Sequence, residues 1–316
     1  PGRGLARRLT LDNLQSLAGF AVGLVRAVVL VGRLRPAVVV SMGGYAAAPA
    51  ALAAALWRVP LVLSEQNAVP TSTHRLVGRF ATASAVPFEG TPLPNPVVTG
   101  NPVSAPILAA DPSPAGRAAA RDALGLPHDA AVLAAFGGSL GAGTINRATT
   151  ELVETWDGPP LAVRHAVGSR DWAASSASPP TPAPAVAAYQ PVEYEDRMPL
   201  VLAAADLVFC RSGGATVAEL AVLGRPSILV PLPIAPYDHQ AANAQRLVRA
   251  GGAVMLLDAE VSGERLAAEV RALVDDPDRL RAMGEAAGSV GRRDAADAVA
   301  DLVEATARAG RRRSRA

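Results

Sequence analysis

The amino-acid sequence predicts an α/β protein of two domains, each built on a parallel sheet with helices on both faces. Three observations point to this fold class. Short runs rich in Val, Leu and Ala are apolar at consecutive positions, as in strands that are buried on both sides. Each run is followed by a glycine-containing loop and a longer Ala- and Leu-rich stretch of helical length. The chain of 316 residues is half hydrophobic, which is enough for two buried cores.

The predicted strands share continuous apolar or β-branched sequence. They are residues 37–41, 60–64, 97–99, 131–136, 161–165, 206–210 and 227–231. The predicted helices are longer and richer in Ala, Leu and charged residues. They are residues 10–34, 46–57, 118–124, 144–156, 215–223, 279–287 and 294–309. Residues 173–185 are of low complexity, and we expect a mobile loop there.

A proline-rich stretch marks the predicted domain boundary. Four prolines lie within residues 102–116, just before a strand and a glycine-rich loop. We therefore predict a first domain over residues 1–104 and a second over residues 105–316. The helix at 294–309 either closes the second domain or packs back on the first.

Composition excludes several classes of protein. The formal net charge of +2 argues against a nucleic-acid-binding protein, and the four histidines lack metal-ligand spacing. A single cysteine, Cys210, excludes a disulfide framework and is expected in the core. Asp276 and Asp278 form a D-x-D pattern, but they precede a helix, so Asp276 is expected to cap it. We therefore predict no metal site and no cofactor.

The N-terminal region shows neither a signal peptide nor a convincing transmembrane span. The chain opens on Pro1 instead of Met, so we expect that an upstream segment belongs to the natural protein. The apolar stretch at residues 14–31 contains Arg26, and a spanning helix needs about 20 apolar residues with few or no charges. A buried or interfacial helix is the prediction there.

Three glycine-rich junctions between a strand and a helix are candidate anion sites. They are residues 43–45, 137–141 and 211–216, and free N–H groups at a helix start favour an anion. The alternative is a tight turn that needs glycine. In the third junction Thr216 could cap the helix, and Glu219 could either pair with the helix dipole or accept hydrogen bonds from hydroxyl groups. None matches the P-loop or the G-x-G-x-x-G fingerprint.

A fourth candidate is the segment at residues 238–243, DHQAAN, at the predicted start of a helix. Its amide and imidazole groups could bind sugar hydroxyls, because an amide both donates and accepts hydrogen bonds. The alternative is an ordinary helix start with Asp238 as the cap.

Several segments together resemble the MurG family of glycosyltransferases, in order and in spacing. They are SMGGYAAAPA (41–50), LSEQNAVP (63–70), TGNPV (99–103), FGGSLGAGTIN (136–146), residues 205–233 and DHQAANA (238–244). The resemblance implies a GT-B fold, in which two Rossmann-like domains face each other across a cleft. It also implies metal-independent, inverting transfer of N-acetylglucosamine from UDP-GlcNAc to lipid I, which forms lipid II in peptidoglycan synthesis.

The same resemblance implies a set of substrate-binding residues. The uracil is expected at the backbone near Tyr194 and Glu195, the ribose at Glu219, the sugar at Gln240 and Asn243, and a further contact at Asn67 of the first domain. The remaining donor contacts are expected at Gly138, Ser139, Gly214, Ala215 and Thr216.

This sequence departs from the family pattern at four places. The family's N-terminal glycine-rich loop, whose His is the candidate general base, is absent from these 316 residues, so the catalytic residue is unknown. Ser104, Leu140 and His74 replace a family Arg, Gln and Asn. We therefore expect the chain as given to bind the donor but to catalyse transfer slowly or not at all. Two alternatives remain open: a GT-B transferase for another lipid or secondary-metabolite acceptor, and a non-catalytic donor-binding subunit.

The lipid-linked acceptor implies a peripheral association with the cytoplasmic face of the cell membrane. We predict that the helix at residues 10–34 carries it. Its apolar face comprises Leu14, Leu17, Phe20, Leu24, Val28 and Val31, and its flanking arginines are Arg7, Arg8, Arg26, Arg33 and Arg35. The alternative is that this face packs on the sheet, in which case Trp57 is the next candidate for membrane contact.

Overall fold

The computed structural model describes residues 11–313, with side chains described from residue 18 to residue 312. The predictions for Arg7, Arg8 and the first residues, and for the side chains of Leu14 and Leu17, lie outside the described residues. The chain divides into two compact units, one formed by residues up to Pro102 with those from Asp294 onward, and one by Val103–Arg293. Each unit is an α/β layer structure on one parallel sheet, as predicted.

Thirteen α-helices and ten strands make up the described part of the chain. The helices are α1 (Leu11–Leu34), α2 (Ala48–Leu56), α3 (Ser72–Val77), α4 (Ala105–Leu108), α5 (Pro114–Leu124), α6 (Gly143–Thr155), α7 (Trp172–Ala177), α8 (Met198–Ala204), α9 (Gly214–Leu223), α10 (His239–Ala250), α11 (Gly263–Val274), α12 (Pro277–Ser289) and α13 (Ala295–Arg313). The strands are β1 (Val39–Ser41), β2 (Leu61–Ser64), β3 (Ala83–Val86), β4 (Pro96–Val98), β5 (Ala131–Phe136), β6 (Leu161–Ala166), β7 (Val186–Val192), β8 (Leu207–Arg211), β9 (Ser227–Val230) and β10 (Ala253–Met255).

The sheet of the first unit has four parallel strands in the order β1-β2-β3-β4. Its core is formed by small and aliphatic side chains of α2, β2 and β3, and includes Ala51, Leu61, Leu63 and Val86. Helix α13 contacts β2 and β3 and thus belongs to this unit. The structure thus groups residues 294–309 with the first unit, which is one of the two placements expected for this helix.

The sheet of the second unit has six parallel strands in the order β10-β9-β8-β5-β6-β7. The chain starts in the middle at β5, runs outward to β7, and then returns to β8 on the other side of β5. This order is that of the dinucleotide-binding Rossmann fold. Successive strands are added in one direction from β5 to β7 and in the opposite direction from β8 to β10, so the strand order reverses between β5 and β8. Ligands of such sheets bind outside the carboxyl ends of the strands at this reversal.

Most predicted strands are confirmed, and β5 has the predicted limits. Three strands were missed. In β3 the residues are small (ASAV), β10 has only three residues, and β7 is half-buried and contains Pro191, so none is a continuous run of large apolar residues. The low-complexity segment after residue 173 is partly helical, because α7 extends over Trp172–Ala177.

Helix α1 packs on α2 through the face that was predicted to meet a membrane. The ring of Phe20 lies 5.3 Å from that of Tyr45, and the indole Nε1 of Trp57 donates to the carbonyl of Val28 at 2.9 Å. Leu24 and Val28 are half-buried, and Val31 is only 7% exposed. The alternative expected for this face, packing within the protein, therefore accounts for much of it.

The sides of α1 that do not pack on α2 are exposed and carry both apolar and basic residues. Val25 is 63%, Leu30 57% and Leu34 67% exposed, and Arg26 and Arg33 are also exposed. Among the described residues, no helix is long and apolar enough to cross a membrane.

Helix caps decide three of the predictions. The side chain of Asp276 accepts a hydrogen bond from the Arg279 N–H at 2.9 Å, so the D-x-D pattern is a cap, as predicted. Asp238 has a left-handed backbone, with φ of 54°, and makes no side-chain cap bond, so the alternative in which its side chain caps α10 is not what the structure shows. The residue before α9 is Gly213, so Thr216 lies inside that helix and does not cap it.

Cys210 is completely buried, as predicted.

Candidate active site

A cavity of about 210 Å³ lies at the carboxyl ends of β5 and β6, beside the first turns of α9. This is where the strand order of the second unit reverses, and hence where a ligand is expected. Its lining brings together five of the predicted residues: Gly138, Ser139, Glu195, Thr216 and Glu219. The other lining residues are Phe136, Ala166, Glu193, Tyr194 and Met198.

Glycines allow the loop after β5 to form one wall of this cavity. Gly138 has a φ of 96° and Gly141 a φ of 81°, a left-handed region that favours glycine. The Gly141 N–H donates to the Gly138 carbonyl at 2.9 Å and closes the turn. A Cβ on Gly141 would lie 2.2 Å from the carbonyl oxygen of Val167, so this loop packs directly against the backbone that follows β6.

A buried hydrogen-bond chain holds the backbone after β6. The amide of Asn146 in α6 donates to the Val167 carbonyl at 2.9 Å. Its carbonyl oxygen accepts from Nε2 of His165 at 3.1 Å, while Nδ1 of His165 accepts from the Tyr189 hydroxyl at 3.1 Å. Burial lowers the pKa of His165 to about 4, which keeps this ring neutral. The glycine loop thus rests on a rigid support.

The start of α9 offers free donors beside a desolvated carboxylate. No side chain caps the helix at Gly213, so the N–H groups of its first turn lack intrahelical acceptors. Burial raises the pKa of Glu219, and within the described part of the chain its carboxylate receives no hydrogen bond. The first turn can therefore bind an anion, and Glu219 can accept hydrogen bonds from hydroxyl groups.

The loop before α9 is tied to the start of α10. The Ser212 hydroxyl donates to the Gln240 carbonyl at 2.9 Å, and Oε1 of Gln240 accepts from the Leu232 N–H at 3.0 Å. The amide group of Gln240 therefore retains its NH₂ as a donor for a ligand. Asn243 is completely buried and donates to the Ser212 carbonyl at 3.2 Å. The Asn243 side chain therefore helps to hold the loop before α9, and its expected sugar contact stays a prediction.

Glu195 lines the cavity, and both oxygens of its carboxylate accept hydrogen bonds from other groups of the protein. Arg164 in β6 donates to its Oε2 at 2.7 Å, and the Arg197 N–H donates to its Oε1 at 2.9 Å. The carboxylate therefore fixes the backbone around Tyr194, which is the part of this segment expected to meet a base.

In the first unit, Asn67 lies in a loop that a buried carboxylate organises. Glu65 follows β2, and its Oε1 accepts from the N–H of Gln66 and from the N–H and amide of Asn67 at 3.0–3.1 Å. Its Oε2 accepts from the Thr71 N–H at 2.9 Å and from Nδ1 of His74 at 2.8 Å. These bonds lower the pKa of Glu65 against the opposing effect of burial.

His74 replaces the Asn of the family and is fully buried. Its Nε2 lies 3.1 Å from the carbonyl oxygen and 3.2 Å from the hydroxyl of Ser41, at the end of β1. Both ring nitrogens are therefore occupied, and the side chain links the ends of β1 and β2 instead of facing a substrate.

Sequence reasoning missed four of the lining residues. Phe136 and Ala166 end β5 and β6, so the rule that ligands bind beyond the carboxyl ends of strands could have indicated them. Glu193 and Met198 follow β7, which was not predicted, and no pattern in the sequence pointed to them. Within residues 11–313, no three His, Cys, Asp or Glu side chains form a group that could hold a metal ion.

Comparisons with protein families match both units. Residues 1–86 match the glycosyltransferase family 28 N-terminal domain, and residues 132–299 match the glycosyltransferase family 28 C-terminal domain. Two similar proteins are named UDP-N-acetylglucosamine--N-acetylmuramyl-(pentapeptide) pyrophosphoryl-undecaprenol N-acetylglucosamine transferase. The one from Desulforudis audaxviator is 39% identical, covering 99% of this chain and 85% of that protein. The one from Acidothermus cellulolyticus is 41% identical, covering 98% of this chain and 84% of that protein.

Two solved structures resemble this chain over most of its length. MurG from Acinetobacter baumannii is 27% identical and superposes with a TM-score of 0.73, covering 96% of this chain and 82% of that one. UDP-GlcNAc 2-epimerase from Neisseria meningitidis, bound to UDP-GlcNAc, is 13% identical with a TM-score of 0.61, covering 94% of this chain and 82% of that one, which is a likeness of fold alone. With two parallel α/β units, two family models and relatives about 40% identical over nearly its whole length, the chain has the GT-B fold and belongs to the MurG family of glycosyltransferase family 28.

Proposed function

We propose that this chain transfers N-acetylglucosamine from UDP-GlcNAc to lipid I, the undecaprenyl-diphosphate-linked acceptor, and so forms lipid II for peptidoglycan synthesis. The observation that carries the proposal is the identity of about 40% with transferases named for this reaction, over almost the whole chain. The cavity at the strand-order reversal supports it, because it combines free helix N–H groups with a hydroxyl-accepting carboxylate.

The donor is proposed to occupy the cavity of the second unit. The uracil contacts the backbone near Tyr194 and Glu195, and the ribose hydroxyls donate to Glu219. The diphosphate lies at the start of α9, against the N–H groups of Gly214, Ala215 and Thr216, where the helix dipole favours negative charge. Gly138 and Ser139 close the opposite wall.

The sugar is proposed to lie toward α10, where the NH₂ of Gln240 donates to a hydroxyl. Its orientation is preset, because Oε1 is held by the Leu232 N–H. Asn67 of the first unit is proposed as a further donor contact, with the Glu65 carboxylate fixing its loop. Fixed donors at the start of α9 would stabilise the charge that develops on the departing UDP, at no cost of reorganisation.

The acceptor requires an approach to the cytoplasmic face of the cell membrane, and the exposed face of α1 is the proposed contact. It presents Val25, Leu30 and Leu34 together with Arg26 and Arg33, a combination suited to acyl chains and anionic headgroups. The side of α1 that carries Phe20 and Leu24 serves to pack the helix on α2. The association is therefore proposed to be peripheral.

The proposal is tested by measuring the transfer of labelled N-acetylglucosamine to the lipid. Protein in excess over UDP-GlcNAc labelled in the sugar is incubated with lipid I in detergent for several hours, and the lipid fraction is analysed. Typical turnover is about 10 s⁻¹ and loss of a general base costs about 10²–10⁴-fold, so even a slow chain converts the donor within hours. We expect labelled lipid II only when lipid I is present. Label released as N-acetylmannosamine without an acceptor, or no labelled lipid with the donor bound, would overturn the proposal.

A further inference from the structure

A second cavity, of about 570 Å³, opens at the other edge of the sheet in the second unit. Its charged lining residues are Arg117, Asp206, Arg225, Arg281 and Glu285. It lies where β5, β8 and β9 begin, whereas the candidate donor cavity lies where β5 and β6 end. The two cavities are therefore separate, and the UDP-sugar does not account for this one.

Two arginines beside this cavity, Arg117 and Arg121, share the carboxylate of Asp206. Oδ1 of Asp206 accepts from Arg117 at 2.6 Å, and its Oδ2 accepts from Arg121 at 2.5 Å and from the Val132 N–H at 2.8 Å. Arg225, which does not bond Asp206, is the third arginine of the cluster. The three arginines carry two positive charges in excess of Asp206, and the Glu285 carboxylate on the lining reduces this excess to one. On the rim, Arg281 pairs with Asp278 at 2.9 Å.

Arg225 is the least compensated member of the cluster. It is 2% exposed, and within the described part of the chain its guanidinium donates only to the carbonyls of Ala205, at 3.0 Å, and Pro112, at 3.4 Å. Its Nε and that of Arg117 are buried and have no acceptor among the described residues. Burial, together with repulsion by Arg117, lowers the pKa of Arg225 to about 10. A buried charge is costly unless it is paired, so this cluster favours a bound anion.

We propose that this cavity binds a small molecule that carries a phosphate group, with the phosphate at the arginine cluster. A phosphate brings up to two negative charges and several acceptor oxygens, which match the excess charge and the forked donors of arginine. The side chains of Val274, Pro277 and Leu280 line the rest of the cavity and suit a carbon body. The volume falls within the range of about 300–1,000 Å³ that small-molecule sites occupy.

The test measures phosphate binding with the donor cavity already filled. The full chain is saturated with UDP, so that phosphate cannot act at the start of α9, and is titrated with inorganic phosphate and with phenyl phosphate at constant ionic strength. Calorimetry gives the affinity, and thermal unfolding gives the shift in Tm. We expect saturable binding of both probes and tighter binding of phenyl phosphate, because its ring contacts the apolar wall.

Two variants remove single cavity charges, and one matched variant does not. Arg117→Gln and Arg281→Gln should each weaken phosphate binding by about tenfold or more, since charge-assisted hydrogen bonds are lost. Arg279→Gln removes the same charge from the exposed surface of α12 outside the cavity lining and should bind as the wild type does. Phosphate also stabilises proteins generally by exclusion from their surface, and the Arg279→Gln chain measures that contribution.

Equal affinities in all four chains would overturn the proposal, as would the absence of saturable binding to the wild type. If Arg117→Gln does not fold, phosphate binding by Arg281→Gln tests the proposal by itself. The side chain of Arg281 is exposed and can be replaced without disturbing the core. UDP binding should be unchanged in every variant. If the wild type does not bind UDP, the proposed donor site is wrong. The phosphate site is then tested by comparing the phosphate affinities of Arg281→Gln and Arg279→Gln.

Discussion

Replacing Gly141 by alanine should destabilise the protein more than the same change at Gly138, although both lie in one loop. Both residues have positive φ angles, 81° and 96°, and alanine in this region costs about 1–2 kcal/mol. They differ in their surroundings. A Cβ at Gly141 would lie 2.2 Å from the Val167 carbonyl oxygen, whereas a Cβ at Gly138 would have no other atom within 4 Å.

The overlap at Gly141 can be relieved only by moving backbone, because the nearest atoms belong to the main chain of Val167 and Gly168. Overpacking of this kind costs about 1–3 kcal/mol in addition to the backbone term. We therefore expect Gly141→Ala to lower the free energy of unfolding by about 2–5 kcal/mol and Gly138→Ala by about 1–2 kcal/mol. The loop would also be displaced from the cavity, so Gly141→Ala should weaken binding of UDP-GlcNAc.

Urea unfolding followed by circular dichroism at 25 °C gives both free energies, with equal m-values as the check that both variants unfold in the same way. Equal destabilisation of the two variants, or a larger loss for Gly138→Ala, would refute the inferred contact between the glycine loop and the backbone after β6.

Three further predictions follow from the buried groups and from α1. His165 is neutral in the fold, with a pKa of about 4 against 6.5 when unfolded, so the unfolded chain binds its proton first as the pH falls. The free energy of unfolding should therefore fall by about 2.5 kcal/mol between pH 7 and pH 4.5 through this group. His165→Gln should remove that part of the pH dependence. Glu65→Gln should cost about 1–3 kcal/mol in urea unfolding, because an NH₂ group would face N–H donors, and a cost below about 0.5 kcal/mol would contradict the assigned hydrogen bonds. Val25→Ser with Leu30→Ser should reduce co-sedimentation with anionic vesicles, whereas Leu76→Ser, also at an exposed leucine, should not; equal binding would move the membrane contact away from α1.

The sequence was sufficient to predict the elements whose residues are apolar without interruption. Residues 131–136 and 227–231 are such runs, and both are strands of the second sheet. The site followed from the same logic, since the glycine-rich loops after β5 and β8 lie together where these neighbouring parallel strands end. Five of the ten predicted site residues line one cavity for this reason.

What the sequence could not supply depends on packing between distant segments. Helix α1 is apolar on most of its faces, so composition alone does not tell which face α2 covers. Asn243 belongs to a motif expected to bind sugar, and only the fold shows its amide turned toward Ser212. The arginine cluster around Asp206 joins residues that are up to 108 positions apart, from Arg117 to Arg225, and no local pattern indicates it.

The proposed donor site depends most directly on Glu219 as the group that binds the ribose of UDP-GlcNAc. Calorimetric titration of UDP-GlcNAc should show saturable binding to the wild type and binding weaker by about 1–3 kcal/mol in Glu219→Ala, because the ribose hydroxyls would lose a buried acceptor. Glu264→Ala, the same change at an exposed position of α11, should bind as the wild type does. Since burial raises the pKa of Glu219 and a hydroxyl donor favours its ionised form, affinity should also fall as the solution is acidified toward that pKa, in the wild type but not in Glu219→Ala. Equal affinity of the wild type for UDP-GlcNAc and for its 2′,3′-dideoxyribose analogue, or unchanged binding in Glu219→Ala, would contradict the account.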